Sequence, residues 1–136
     1  MQTDFELIEE AVYPYANDDL RDSIELNYFK GIERALEDGA DPNFEDDYSN
    51  EGPLLLLAVR KRNIKFTELL LKYKADPNKN GYNSPTPLTV AIENNDIKIA
   101  KLLIENGATI HSEELIKAVE NNNIEIARLL LKNQQV

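Results

Sequence analysis

Few residues in this chain are of a type and spacing that could do chemistry. The one histidine, His111, is followed by Ser112, Glu113 and Glu114. An imidazole acting as general base needs a second group to orient it. Adjacency in the chain does not make these side chains converge in space, so His111 is expected to be a solvent-facing loop residue. Glu45, Asp46 and Asp47 form an acidic run whose oxygens suit a hard cation. The run lacks the D-x-[DN]-x-[DN]-G spacing with a distal glutamate, so no dedicated calcium loop is expected. There is no glycine-rich phosphate loop and no G-x-S-x-G elbow. The absence of cysteine excludes disulfides, thiolate chemistry and cysteine-based metal sites. The sequence thus predicts a non-enzyme with no catalytic residues, no metal site and no cofactor.

Binding chemistry is better represented. Arg60-Lys61-Arg62 is a basic run in an otherwise acidic protein, and Tyr48 and Tyr82 lie in polar stretches where a ring gains little from a core. Tyrosine is favoured at binding hot spots because it buries a large area at low entropy cost. The net charge is −10 and unevenly spread. Residues 1–52 hold 16 acids and 3 bases, a balance of −13, whereas residues 53–136 hold 9 acids and 12 bases, a balance of +3. An acidic whole argues against nonspecific nucleic-acid binding, which rests on cations meeting phosphates. It fits a basic protein partner steered by the field, and it also serves solubility. The N-terminal MQTDFELIEEAV lacks a basic n-region and an apolar h-region, so no secretory signal of the usual kind is expected. The longest apolar run, Leu54 to Val59, has six residues against the ~20 that a membrane span needs. The expected setting is the cytoplasm, without membrane or nucleic-acid partners.

The elements that must position these residues come from a repetition. LLLLAVRKRNIKFTELLLKYKADPN (Leu54 to Asn78), PLTVAIENNDIKIAKLLIENGATIH (Pro87 to His111) and ELIKAVENNNIEIARLLLKN (Glu114 to Asn133) say nearly the same thing, and LRDSIELNYFKGIERALEDGADPN (Leu20 to Asn43) is a fainter copy. The step is 35 residues from Ala40 to Ala75 and 33 from Ala75 to Ala108. A period near 33 with two short helices per unit predicts a stacked solenoid. In the third copy Thr86 should cap a helix that starts at Pro87, with Leu88, Ala91 and Ile92 on its apolar stripe. Asn94, Asn95 and Asp96 break the pattern. A second helix follows with Ile97, Ala100, Leu103 and Ile104 inward, closed by Gly107. Ala58, Ala91 and Ala118 allow close helix packing. Asn95 and Asn122 suit a left-handed turn, and Arg62 suits it less well. Thr3 to Val12, with a capping-box spacing at Thr3 and Glu6, reads as a short helix that covers the first repeat. Tyr28 and Phe29 are assigned to the core of that repeat. The loops from Asp41 to Pro53 and from Asp76 to Pro85 read as projecting hairpin-like fingers. Ala91 to Ala118 is only 27 residues, so the third connection has little or no finger.

At these residues a family is recognisable. Thr86-Pro87-Leu88-Thr89-Val90-Ala91-Ile92 resembles the T-P-L-H-x-A-A signature of ankyrin repeats, and Leu102-Leu103-Ile104-Glu105-Asn106-Gly107-Ala108 resembles the matching L-L-L-x-x-G-A. Gly52-Pro53-Leu54 with Leu57-Ala58-Val59, Gly39-Ala40-Asp41-Pro42-Asn43, and Ala118-Val119 with Leu129-Leu130-Leu131 stand in corresponding places. The signature histidine is replaced by Leu56, Thr89 and Ile116, and Lys117 replaces an inward leucine, as suits a terminal repeat. The resemblance implies an all-α solenoid of about four helix-turn-helix repeats (about 19–52, 53–85, 86–112 and 113–136) behind an N-terminal helical cap over residues 1–18. It also implies a protein-interaction role, and places Arg60, Lys61, Glu93 and Asn94 at inner-helix ends facing a concave groove. The predicted partner-binding set is Asp46, Asp47, Tyr48, Ser49, Asn50, Arg60, Lys61, Tyr82, Asn83, Glu93 and Asn94. The expected function is an adaptor, regulator or effector; the alternative is a stoichiometric inhibitor or immunity protein that neutralises a basic toxin or enzyme. The expected state is a monomer, or a weak dimer through the truncated last repeat, where Leu129, Leu130 and Val136 are read as exposed.

Overall fold

The computed structural model describes residues 16–44, 52–80 and 84–134. All regular structure among them is helical, in four helix-turn-helix pairs: α1 (Ala16–Glu25) with α2 (Phe29–Glu37), α3 (Leu54–Arg60) with α4 (Ile64–Lys72), α5 (Pro87–Glu93) with α6 (Ile97–Glu105), and α7 (Ser112–Glu120) with α8 (Ile124–Asn133). The pairs stack in order, so α1, α3, α5 and α7 form an inner row and α2, α4, α6 and α8 an outer row. None of these helices exceeds ten residues. Helices this short are marginal alone in water, so packing between neighbouring pairs must hold them.

The core is one continuous apolar seam. Ala58, Ala91 and Ala118 are all fully buried, and the small side chain lets each inner helix lie close to its outer partner. Leu70, Ile99, Leu103 and Ile126 fill the space between pairs. Fully burying a side chain of this size contributes about 1.5–3 kcal/mol.

Each interhelix turn uses the same device. The residue after the inner helix's C-cap has positive φ: Asn27 (58°), Arg62 (56°), Asn95 (54°) and Asn122 (59°). In each turn two N–H groups reach back to the last carbonyls of the inner helix, as Arg62 N–H to Val59 O (2.9 Å) and Asn63 N–H to Ala58 O (3.2 Å). The next residue opens the outer helix. Asn63, Asp96 and Asn123 each accept a side-chain hydrogen bond from the backbone N–H three residues on. Such a cap is worth about 1 kcal/mol. Tyr28, at the same place in the first pair, makes no side-chain cap. The outer helices end in the left-handed region again, at Gly39, Lys74 and Gly107.

The local expectations for the third repeat hold. Thr86 Oγ1 accepts from Thr89 N–H (3.3 Å), Pro87 opens α5, and Gly107 closes α6 at φ 99°. Three expectations need correction. Pro53 is the N-cap residue of α3, one place earlier than its motif alignment suggests, because the helix begins at Leu54. Tyr28 is exposed rather than core; Phe29 beside it is half-buried and stacks on Phe66 at 6.4 Å between ring centroids. Leu130 is fully buried and Leu129 half-buried, while Leu131 is exposed. The core face of α8 lies one residue away from where terminal exposure was expected. The cap helix expected over Thr3 to Val12, and Val136, lie outside the described residues.

Side chains also latch the bases of the fingers together. Asn43 Oδ1 accepts from Asp76 N–H (2.7 Å) and its Nδ2 donates to Lys74 O (3.4 Å). One repeat later, Asn78 Oδ1 accepts from Thr109 N–H (2.6 Å) and its Nδ2 donates to Gly107 O (3.1 Å). Asp41 and Asp76 pre-form each turn by accepting from the Asn N–H two residues on. The repeated Asp-Pro-Asn wording therefore holds one repeat against the next.

Candidate functional site on the inner-helix surface

Four of the predicted contact residues are described, and all four lie at the C-terminal ends of inner helices. Arg60 is the last residue of α3 and Glu93 the last of α5; both are exposed. Lys61 and Asn94 are the C-caps that follow, exposed and half-buried respectively. Because α3 packs on α5 and α5 on α7, the row brings basic Arg60-Lys61 beside acidic Glu93 on consecutive repeats. Lys61 Nζ donates to Glu25 O on α1 (3.3 Å). Glu93 pairs with Lys117 Nζ on α7 (2.8 Å). Lys117 thus uses the inward-leucine position to bridge two repeats with a charge. Its hydrogen bond with Glu93, then the Glu93 charge itself, raises its pKa above 10.5. Asp46, Asp47, Tyr48, Ser49, Asn50, Tyr82 and Asn83 lie outside the described residues.

The structure adds a site that the contact list missed. Where the third connection is short, a recess of about 740 Å3 opens between the third and fourth helix pairs. Thr86, Thr89 and Glu93 of the third pair line one side, and His111, Glu114 and Lys117 of the fourth line the other. At its floor Glu114 is only 3% exposed. Its Oε2 accepts from His111 N–H (2.8 Å) and its Oε1 from the Thr89 hydroxyl (3.2 Å), while Thr86 and Thr89 hydroxyls lie 3.0 Å apart. A buried carboxylate costs several kcal/mol in desolvation unless such donors meet it. The exposed His111 ring, with Nδ1 3.6 Å from Glu114 Oε1, covers it from the solvent side. His111 stays a solvent-facing residue of the connection before α7, as expected, and from there its backbone N–H and ring both meet the Glu114 carboxylate. Sequence carried half the signal: Glu114 sits three residues after the N-cap, where a carboxylate can reach back to the N-cap N–H. Thr89, 25 residues earlier, was readable only as a departure from the signature histidine. The arrangement offers hydroxyls, a carboxylate and an ammonium on one concave wall, the equipment for hydrogen-bonding a partner's polar groups. Among the described residues no group of three His, Cys, Asp or Glu side chains is placed to hold a metal ion, and no helix is long and apolar enough to cross a membrane.

Comparison with known proteins agrees with this geometry. The family model for ankyrin repeats (three copies) matches residues 20–114. The chain is 37% identical over 84 residues to the ankyrin repeat protein FPV024 of fowlpox virus (strain NVSL), covering 60% of this chain and 14% of that protein. It is 30% identical over 96 residues to FPV014 of the same virus, covering 71% and 22%. It is 36% identical over 78 residues to the ankyrin repeat and KH domain-containing protein mask-1 of Caenorhabditis elegans, covering 57% and 3%. This chain thus spans less than a quarter of the length of each of these relatives. The match and the stacked pairs with their left-handed turns lead to one conclusion: the chain belongs to the ankyrin repeat family.

Proposed function

We propose that this chain binds a partner protein along its inner-helix surface, as an adaptor, regulator or effector in the cytoplasm, with the recess beside the shortened third connection as the centre of contact. Ankyrin repeats are in general protein–protein interaction modules, and the family is typically non-enzymatic. The observation that carries the reading is the recess itself: about 740 Å3 of concave, polar-lined space between two repeats, continuous with the Glu93 end of the row that begins at Arg60-Lys61. The charge distribution supports a basic partner, since residues 1–52 carry a balance of −13. The same imbalance favours the second reading, a stoichiometric inhibitor or immunity protein that occupies the cleft of a basic enzyme.

The test compares baits. The native protein, a charge-swapped variant (Glu93→Lys with Lys117→Glu) and an outer-helix control (Lys65→Glu) are used to capture partners from lysate of the source cell. The swap preserves the internal ion pair but reverses the surface presented to a ligand. A protein retained by the native chain and the control but lost by the swap supports the groove. Equal retention by all three overturns it. If the retained protein is an enzyme whose activity falls to zero at a one-to-one ratio, the inhibitor reading replaces the adaptor one.

A further inference from the structure

Charge is sorted between the two helix rows. In the second to fourth pairs the outer helices α4, α6 and α8 hold six bases and three acids, a balance of +3, whereas the inner helices α3, α5 and α7 hold two bases and four acids, a balance of −2. The six bases are Lys65 and Lys72 on α4, Lys98 and Lys101 on α6, and Arg128 and Lys132 on α8, all exposed. The repeat register aligns them. Lys65 and Lys98 are each the second residue of their helix, Lys101 and Arg128 the fifth, and Lys72 and Lys132 the ninth. Residues three and four apart share one helix face, and packed helices lie about 8–10 Å apart, so the bases form one field across the convex side. Among the described residues none of the six is in an ion pair, although Glu68 stands at pairing spacing from both Lys65 and Lys72. On α2, by contrast, both bases are paired, Lys30 with Glu33 (4.0 Å) and Arg34 with Asp38 (3.9 Å). The field also contains a seat. Phe29 of α2 and Leu69 of α4 floor a groove of about 480 Å3, with Lys65, Glu68 and Lys72 along its rim. Lys65 and Lys72 are two helical turns apart, about 10 Å.

We propose that this outer face docks an acidic segment of another protein, with an apolar side chain of that segment seated on Phe29 and Leu69 and its carboxylates meeting Lys65 and Lys72. Charge complementarity selects the occupant. Cations that no internal carboxylate neutralises favour an anionic ligand, and the apolar floor between them adds a place for a side chain that a simple anion lacks. A continuous polyanion fits less well. Glu68, Glu105 and Glu125 interrupt the field, and the net charge of −10 opposes nucleic acid and anionic lipid at longer range. A protein segment can set carboxylates against the lysines and neutral residues against those three glutamates. This docking uses none of the inner-helix residues, so it is independent of the contact proposed above. Engaged on both faces, the chain would join a basic partner on the inner row to an acidic one on the outer row.

The probe is a synthetic peptide in which pairs of leucines alternate with pairs of glutamates, titrated into the full 136-residue protein and followed by amide NMR shifts at low and moderate salt. The expected result is shifts on α4 and α6 and at Phe29, with an affinity that weakens as salt rises. Lys65→Glu combined with Lys72→Glu should raise the dissociation constant about tenfold, with the helical circular dichroism unchanged because both sites are exposed. Glu68→Gln removes the carboxylate at the groove and should lower the dissociation constant, a gain that misfolding does not produce. Absence of binding overturns the proposal, as do shifts confined to the inner helices. So does binding that is indifferent to the lysine reversals, unimproved by Glu68→Gln, or matched by a peptide with glutamines in place of the glutamates. Tighter binding of single-stranded DNA or of phosphatidylserine vesicles at the same lysines overturns it too, because the occupant would then be a phosphate polyanion rather than a protein.

Discussion

Replacing Gly31 by alanine should destabilise this protein, although Gly31 lies within a helix at a φ that is not positive. Elsewhere in helices the same change is favourable: it restricts the unfolded chain and improves helix propensity by about 0.5–1 kcal/mol. Here the added Cβ would lie 2.3 Å from Ser23 Oγ, 2.7 Å from Tyr28 Cδ2 and 3.0 Å from Ser23 Cβ. The Tyr28 ring is exposed and can swing away, and the Ser23 hydroxyl can rotate, but Ser23 Cβ is fixed to the backbone of α1. Relieving that contact requires α1 and α2 to separate, and overpacking of this kind costs about 1–3 kcal/mol. The cost outweighs the propensity gain, leaving a net loss of about 1 kcal/mol. The register shows why only the first pair has this constraint. Phe66, Ile99 and Ile126 occupy the equivalent place in later pairs, opposite Ala58, Ala91 and Ala118, whereas Gly31 faces the bulkier Ser23. Urea unfolding followed by circular dichroism measures the change, and the slope reveals whether the first pair has uncoupled from the rest. A double-mutant cycle isolates the contact: in a Ser23→Gly background Gly31→Ala should become neutral or stabilising, with a coupling of about 1–2 kcal/mol. If Gly31→Ala stabilises the native protein by the ordinary propensity increment, the tight crossing is wrong.

Three further expectations can be checked with the same tools. Arg62→Gly should raise the unfolding free energy by about 1 kcal/mol, and the urea midpoint with it, because Arg62 holds φ 56° where a Cβ is strained and glycine is not. Asn78→Ala removes two hydrogen bonds that tie the second repeat to the third, and should cost about 1–2 kcal/mol while speeding exchange of the Thr109 amide. Glu93→Gln should lower the Lys117 pKa, measured by NMR titration of the lysine side chain. Since the folded-state value is raised above 10.5, the ion pair's stabilisation is present below that pH and is lost as pH rises through the raised value.

Much of this architecture was legible because each repeat restates the same local rules. Thr86 and Pro87 start a helix by their own chemistry. Asn95 and Asn122 accept the left-handed turn, and the discomfort of Arg62 could be inferred from its register alone. Alanine at 58, 91 and 118 marked the close crossings before any neighbour was known. The contact residues fared less evenly. Arg60, Lys61, Glu93 and Asn94 fall on inner-helix ends as their register implied, but the buried carboxylate of Glu114 and its Thr89 partner did not stand out. Tyr28 and Phe29, adjacent and both aromatic, were treated alike although one is exposed and the other stacks on Phe66.

The sequence by itself determined the helix pairs, their turns and their order, because those depend on hydrogen bonds and side-chain spacing within about a dozen residues. Only the tertiary structure decided which surfaces are covered. Asn78 reaches Gly107 across 29 residues, Thr89 reaches Glu114 across 25, and Asn43 reaches Asp76 across 33. Local periodicity tells which side of a helix is apolar, but the group that meets it belongs to the next repeat. Val59, Ile92 and Val119 therefore read as equals in sequence, and only the stacking of pairs buries the first two and leaves the third in water.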